Sequence, residues 1–196
     1  MLVEGRELGF LGPGRVEAHR EHAAAFVAAL AHRPPGLGID LGSGGGVPGL
    51  VLATTLPAWR WELVESGARR AAFLDRAVAR LGLQDRVQVV AGRAEDLGRT
   101  PTARARADAV TARSFGPPPV TAECAAPLLR PGGVLLVSEP PGGSGERWDA
   151  DRLAALGLAL AEQRAGPPAV AVLVQATPCP ARFPRKAGIP AKRPLW

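Results

Sequence analysis

The segment Gly38-Ile-Asp-Leu-Gly-Ser-Gly-Gly-Gly-Val-Pro-Gly-Leu50 constrains this chain more than any other. A short apolar run breaks into glycines and resumes at Pro48, which suits the first turn of a helix, where its missing N–H costs nothing. The pattern predicts a buried strand, a glycine turn and a helix.

Strand and helix signals alternate along the rest of the chain. Residues 15–31 read as a helix carrying Val16, Phe26, Val27 and Leu30 among alanines, with Pro34-Pro35 as its stop. Trp59, Trp61 and Leu63 alternate with Arg60, Glu62 and Val64, the period of a strand, and this one ends at the carboxylate of Glu65. From Arg69 to Leu81 the positions Phe73, Leu74, Ala77, Val78 and Leu81 form one helical stripe, closed by Gly82. Strands are predicted at Val87–Ala91 and Asp108–Ala112, a helix at Val120–Leu129, and a fifth strand at Gly133–Ser138 after the turn Pro131-Gly132-Gly133. Residues 140–144 read as a loop and Asp149–Leu156 as a helix. Two further strands, Leu158–Gln163 and Ala169–Ala176, have no helix between them, so they should pair antiparallel. Parallel strands joined by right-handed helical crossovers give a three-layer α/β sandwich. Three segments follow: helical residues 1–36, an α/β domain at 37–177 and a basic, Pro-rich tail at 178–196.

Composition narrows the class. Hydrophobic residues make up 46% and charged ones 21%, enough apolar surface to offset the entropy of ordering and to exclude wholesale disorder. No apolar run reaches the roughly 18 residues of a membrane span, and Glu4, Arg6 and Glu7 occupy the place of a leader's apolar stretch. A cytoplasmic, monomeric protein without membrane contact is expected. Cys124 and Cys179 form no CxxC pair, and the three histidines all precede residue 33, so neither a zinc site nor a disulfide framework is expected.

The net charge of +6 belongs to the tail. Residues 176–196 hold Arg182, Arg185, Lys186, Lys192 and Arg193 and no acid, while the first 175 residues hold 19 cations against 18 carboxylates. Prolines 178, 180, 184, 190 and 194 argue against a helix there and for an extended strip of cations, which would fit a phosphate backbone. Its bland alternative is a solvated basic end. If the strip holds RNA, removing residues 182–196 should weaken RNA binding and flatten its salt dependence, leaving cofactor affinity near normal.

Ligands of an open α/β sheet bind beyond the carboxyl ends of its strands. The glycine turn lacks the terminal Lys and Ser or Thr of a triphosphate-binding loop. A dinucleotide fingerprint fits only when counted from Gly44, late relative to the strand. S-adenosylmethionine, which has no pyrophosphate, asks instead for close backbone approach at Gly42 and Gly44 and for a carboxylate on the ribose hydroxyls. Glu65 supplies that carboxylate, although its spacing would also serve a nicotinamide enzyme. Arg93-Ala-Glu-Asp96 falls where the chain could edge an adenine, and equally reads as a helix's first turn. Phe115, beside Gly116 and prolines 117–119, could stack on an extruded base or simply pack. Trp59 and Trp61 read as core and Trp196 as an exposed terminus.

Four segments together resemble the glucose-inhibited division protein B family: Asp40–Leu50, Arg93-Ala-Glu-Asp-Leu97, Val110-Thr-Ala-Arg-Ser-Phe115 and Leu128-Leu-Arg-Pro-Gly-Gly133. The ending Arg182–Leu195 is similar to that of many members. The resemblance implies a Rossmann-like, class I S-adenosylmethionine-dependent methyltransferase with a mostly parallel seven-stranded sheet, acting at N7 of a guanine in 16S ribosomal RNA. By the same resemblance Gly42, Val47, Ala94, Glu95 and Arg113 fall on cofactor-contacting positions, and Glu65 on the ribose-binding acid. The implied partners are ribosomal RNA or the small ribosomal subunit.

Three departures stand out. The N-terminus is short, which implies a reduced lid over the cofactor. Ala25 and Phe26 replace the polar pair that usually follows the histidine matched by His22. The fifth strand ends Val137-Ser-Glu139, an acid where the family carries Lys, so the substrate would be handled differently here. Another RNA or a small molecule as methyl acceptor, and a non-catalytic RNA-binding relative, are the alternatives those departures leave open.

Overall fold

The computed structural model describes residues 1–140, 147–164 and 168–196. Seven strands form one sheet: β1 (Leu37–Leu41), β2 (Arg60–Glu65), β3 (Val87–Ala91), β4 (Ala107–Ala112), β5 (Leu129–Glu139), β6 (Leu158–Arg164) and β7 (Ala169–Gln175). Their order is β3-β2-β1-β4-β5-β7-β6. Strands β1 to β5 run parallel, and β7 lies antiparallel to both β5 and β6. The mostly parallel sheet and its antiparallel edge are therefore as the patterning predicts. Residues 141–144 of the expected loop lie outside the described residues.

Helices α1 (Leu2–Glu7), α2 (Val16–Leu30), α3 (Gly49–Thr55) and α4 (Ala68–Arg80) precede β3; α5 (Ala94–Arg99), α6 (Pro118–Ala125), α7 (Ala150–Ala155) and α8 (Ile189–Lys192) follow it. Two apolar cores sandwich the sheet. Phe26, Leu30, Leu50, Phe73 and Leu74 meet Trp61 and Leu63 of β2 on one face. Ile39, Leu41 and Val64 face the other core with Ala122, Leu128 and Leu153. Alternate residues of β2 thus enter opposite cores, as the two-residue period of a strand requires. Burial on both faces explains why its exposed end residue, Arg60, is followed by five buried ones.

Two boundaries differ from the sequence expectation. Helix α6 begins at Pro118 and stops at Ala125, earlier at both ends than the predicted 120–129. Two prolines start it where no N–H is needed, and Pro127 forbids its continuation. Strand β5 consequently starts at Leu129, and its register against β4 shifts between Ala107 and Ala109, where the turn at 131–133 was expected to precede the strand.

The tail does not lie extended, contrary to the expectation from its prolines. Phe183 and Pro184 are buried, and α8 forms one helical turn with Pro190 in its first positions, where proline is tolerated. Arg104 gathers the tail's carbonyls, donating to the oxygens of Phe183 at 2.6 Å and Cys179 at 3.1 Å. Trp196, expected to be exposed and incidental, is half-buried and donates its indole N–H to the carbonyl of Arg147. No helix among the described residues is long and apolar enough to cross a membrane.

Candidate functional site

Strand order reverses between β1 and β4, so the loops leaving these two strands diverge and open a crevice. Beyond β1, Gly42 and Gly44 take φ of +65° and +52°, a region that costs an L-residue about 1–2 kcal/mol. The turn is also crowded: a Cβ on Gly42 would lie 2.9 Å from the ring of Phe115, and one on Gly45 2.6 Å from Leu11. The crevice is a cavity of about 520 Å³, within the range of small-molecule sites. Gly42, Gly44, Val47, Glu65, Ala94, Glu95 and Arg113, the seven residues expected to hold a cofactor, all line it, and Phe115 does too.

Glu65 sits at the end of β2 and is only 3% exposed. Its Oε2 accepts the Gly44 N–H at 3.0 Å; its Oε1 accepts the Gly67 N–H at 2.7 Å and the Arg70 guanidinium at 2.8 Å. Burial would raise the Glu65 carboxyl, but Arg70 and the two backbone donors outweigh it and hold the carboxyl below its usual range. A carboxylate has about four acceptor sites. Oε2 therefore keeps lone-pair capacity for ligand hydroxyls while the Gly44 bond fixes the turn.

The opposite wall is built by charge and tautomer. Arg113, just past β4, donates to Nδ1 of His19 at 2.7 Å, which leaves Nε2 of that ring to carry the proton and donate to the Gly12 carbonyl at 3.1 Å. This chain of bonds ties the N-terminal loop across the cavity mouth, and Phe10 anchors it by an edge-on contact with Phe73 at 5.5 Å. The N-terminal loop thus supplies Phe10, Leu11 and Gly12 to the cavity wall, where a reduced lid was expected. Ser114 holds φ +54°, an uncommon conformation for a residue with a side chain. Behind the turn Asp40 is fully buried. It accepts the Thr111 hydroxyl at 2.6 Å, and burial pushes its carboxyl up to about 6. Burial, seconded by Glu95 and Glu123, keeps the Cys124 thiol protonated beside the cavity.

The remaining expected residues divide. Arg182, Lys186, Lys192 and Arg193 are exposed. Arg185 is not free for RNA: its Nε and Nη2 grip the fully buried Glu123 at 2.8 and 2.6 Å, and its backbone N–H adds a third bond at 2.9 Å. Three residues farther along the tail the N–H of Gly188 donates to Glu95 at 2.9 Å, and Ala191 lines the cavity. The tail therefore forms part of the cavity wall. Phe10 to Gly12, Arg70, His19 and Ala191 were not foreseen; only the glycines at 9, 12 and 14 marked the first of these as a loop.

The family model described as rRNA small subunit methyltransferase G matches residues 20–139. A Prochlorococcus marinus protein named ribosomal RNA small subunit methyltransferase G is 43% identical over 165 residues, covering 80% of this chain and 67% of its own. The chain belongs to the rRNA small subunit methyltransferase G family. A Moorella thermoacetica member is 35% identical over 192 residues, with 92% of this chain and 80% of that one covered. Solved structures agree on the fold. A putative S-adenosylmethionine-dependent methyltransferase from Methanococcus maripaludis has a TM-score of 0.60 at 18% identity, covering 82% of this chain and 86% of that one. TYW2 from Pyrococcus horikoshii, in complex with MeSAdo, has a TM-score of 0.57 at 16% identity, covering 84% and 62%. The family match spans β1 to β5 and every cavity residue between Gly42 and Cys124.

Proposed function

We propose that the protein transfers a methyl group from S-adenosylmethionine to N7 of a guanine in the ribosomal RNA of the small subunit. The observation that carries this reading is the glycine turn of residues 42–46 opening onto Glu65 with about 520 Å³ of free space, in a chain of this family. The residues fit an adenosine bearing an amino acid: Gly42 and Gly44 admit close backbone approach, Glu65 faces the ribose hydroxyls, and Ala94 and Glu95 edge the base. When bound, S-adenosylmethionine supplies an electrophilic methyl on a sulfonium; guanine N7 takes it through its own lone pair while the broken bond's electrons return to sulfur.

No side chain has to remove a proton in such a transfer. That suits a cavity in which Glu65 and Glu95 are engaged by donors and His19 is fixed by Arg113 and Gly12. The chain's own contribution is alignment and exclusion of water, the Phe10–Gly12 loop and the tail closing two sides. Phe115 borders the mouth, where it can stack on an extruded base, and the exposed Arg182, Lys186, Lys192 and Arg193 supply phosphate contacts.

Mass spectrometry of small-subunit RNA from a strain lacking this gene, before and after complementation, tests the reading. Loss and recovery of one N7-methylguanosine is expected. An unchanged level points instead to a different methyl acceptor.

A further inference from the structure

A second cavity of about 400 Å³ adjoins the first and shares Ser114 and Phe115 with it. Its far side carries Glu139, the last residue of β5 and only 7% exposed. The carboxylate is held on both oxygens. Oε1 accepts the buried Trp148 indole N–H at 3.1 Å, and Oε2 accepts the Arg147 guanidinium. Of a carboxylate's roughly four acceptor sites, two are used by partners among the described residues. His22 lines the same space, and its buried Nε2 has no hydrogen-bond partner among the described residues. Burial, reinforced by the nearby Arg113, pulls this imidazole down to about 4, so it stays neutral and adds no repulsion toward a base that becomes cationic.

A buried, oriented carboxylate asks for a ligand with two parallel donors. Among the RNA bases only guanine presents them side by side, as N1–H and the 2-amino group. Adenine and cytosine place an acceptor beside their amino group, and uracil offers a single donor. The paired donors lie on the edge of guanine opposite N7. A guanine held by that edge at Glu139 therefore directs N7 back toward the wall shared with the first cavity, and its ring passes Phe115.

We propose that this second cavity is the receptor for the target guanine, with Glu139 reading its N1–H and 2-amino groups and Arg147 and Trp148 holding the carboxylate in place. The inference rests on the methyl-transfer reading and adds a specificity-determining residue to it. It also accounts for an acid where the family carries Lys: recognition here uses the base edge rather than a cation.

Binding of guanosine, inosine and adenosine 5′-monophosphates to the full-length protein saturated with S-adenosylhomocysteine tests this, read by calorimetry or saturation-transfer NMR at millimolar nucleotide. Loss of one hydrogen bond to a charged group weakens binding by roughly tenfold. The expected order is guanosine, then inosine about tenfold weaker for want of the 2-amino group, then adenosine weakest. In Glu139→Gln, which preserves side-chain shape, the three should bind alike while S-adenosylhomocysteine affinity stays at the wild-type value. Equal binding of guanosine and adenosine nucleotides by the wild type, absence of guanosine nucleotide binding, or an unaltered order in Glu139→Gln overturns the inference. The wild-type order needs no variant to fold and no methyl transfer. A flat order with normally methylated RNA sinks this assignment alone, whereas unmethylated RNA from a complemented strain sinks the activity beneath it.

Discussion

Replacing Arg185 by Ala removes two of the three hydrogen bonds to Glu123, those at 2.8 and 2.6 Å, and leaves a fully buried carboxylate with one backbone donor. Deleting one member of a buried ion pair costs about 3–5 kcal/mol. The Arg185 side chain is 28% exposed, so water can reach the vacated site and the lower end, about 3 kcal/mol, applies. The loss falls first on tail docking, because Arg185 joins the tail to α6 three residues before Gly188 reaches Glu95. Amide exchange at Arg185 and Gly188 should accelerate by roughly a hundredfold, which is 3 kcal/mol expressed as an equilibrium. S-adenosylhomocysteine affinity, measured by calorimetry, should fall with it. Pairing Arg185→Ala with Glu123→Leu removes the stranded charge, so the double variant should recover much of the loss. If the double variant is as impaired as the single one, the buried charge is not the cause. If neither exchange nor affinity moves, the tail is not a wall of the cavity.

The other expectations concern the site, its support and the RNA contacts. Glu65→Gln should weaken S-adenosylhomocysteine binding by roughly 10- to 100-fold, the worth of one or two hydrogen bonds to a charged acceptor, with little change in RNA binding. Asp40, raised to about 6 from an ordinary 3.8, binds protons more tightly folded than unfolded, so its contribution to stability is lost as pH rises from about 4 to about 6. Asp40→Asn should abolish that decline, a difference on the order of 3 kcal/mol between the denaturation curves of the two proteins at pH 4 and pH 7. Identical pH dependence of the two would refute it. Replacing Arg182, Lys186, Lys192 and Arg193 together by Gln should reduce the magnitude of the logarithmic salt slope of RNA binding by about 3, at roughly 0.7 per phosphate contact on a single strand. A retained slope would place the RNA elsewhere.

The strands and helices that surround the site were legible because both faces of the sheet are buried. Apolar periodicity survives under that condition, and glycines 42 and 44 mark a turn that few other residues can make. Glu65 could be placed from spacing alone, since a strand of known start delivers its last residue to the carboxyl edge of the sheet. What spacing could not say is who holds that carboxylate: Arg70 lies five residues away but Gly44 lies twenty-one, and only the parallel register of β1 and β2 brings the latter within 3.0 Å.

The tail shows the limit most clearly. Its prolines and cations describe an extended basic strip as well as a docked one, because local propensity carries no information about Glu123, 62 residues earlier in the chain. A buried carboxylate elsewhere in the fold decides that Arg185 is structural, while its neighbours Arg182 and Lys186 remain exposed. The sequence by itself determined the order of strands and helices, the glycine turn and the carboxylate that faces it, all set by interactions between near neighbours in the chain. Tertiary structure alone decided which cations are free, that the N-terminal loop and the tail close the cavity, and that Glu139 stands in a second one. Those outcomes depend on groups far apart in sequence competing for the same buried partners, and burial makes each unpaired charge too costly to leave.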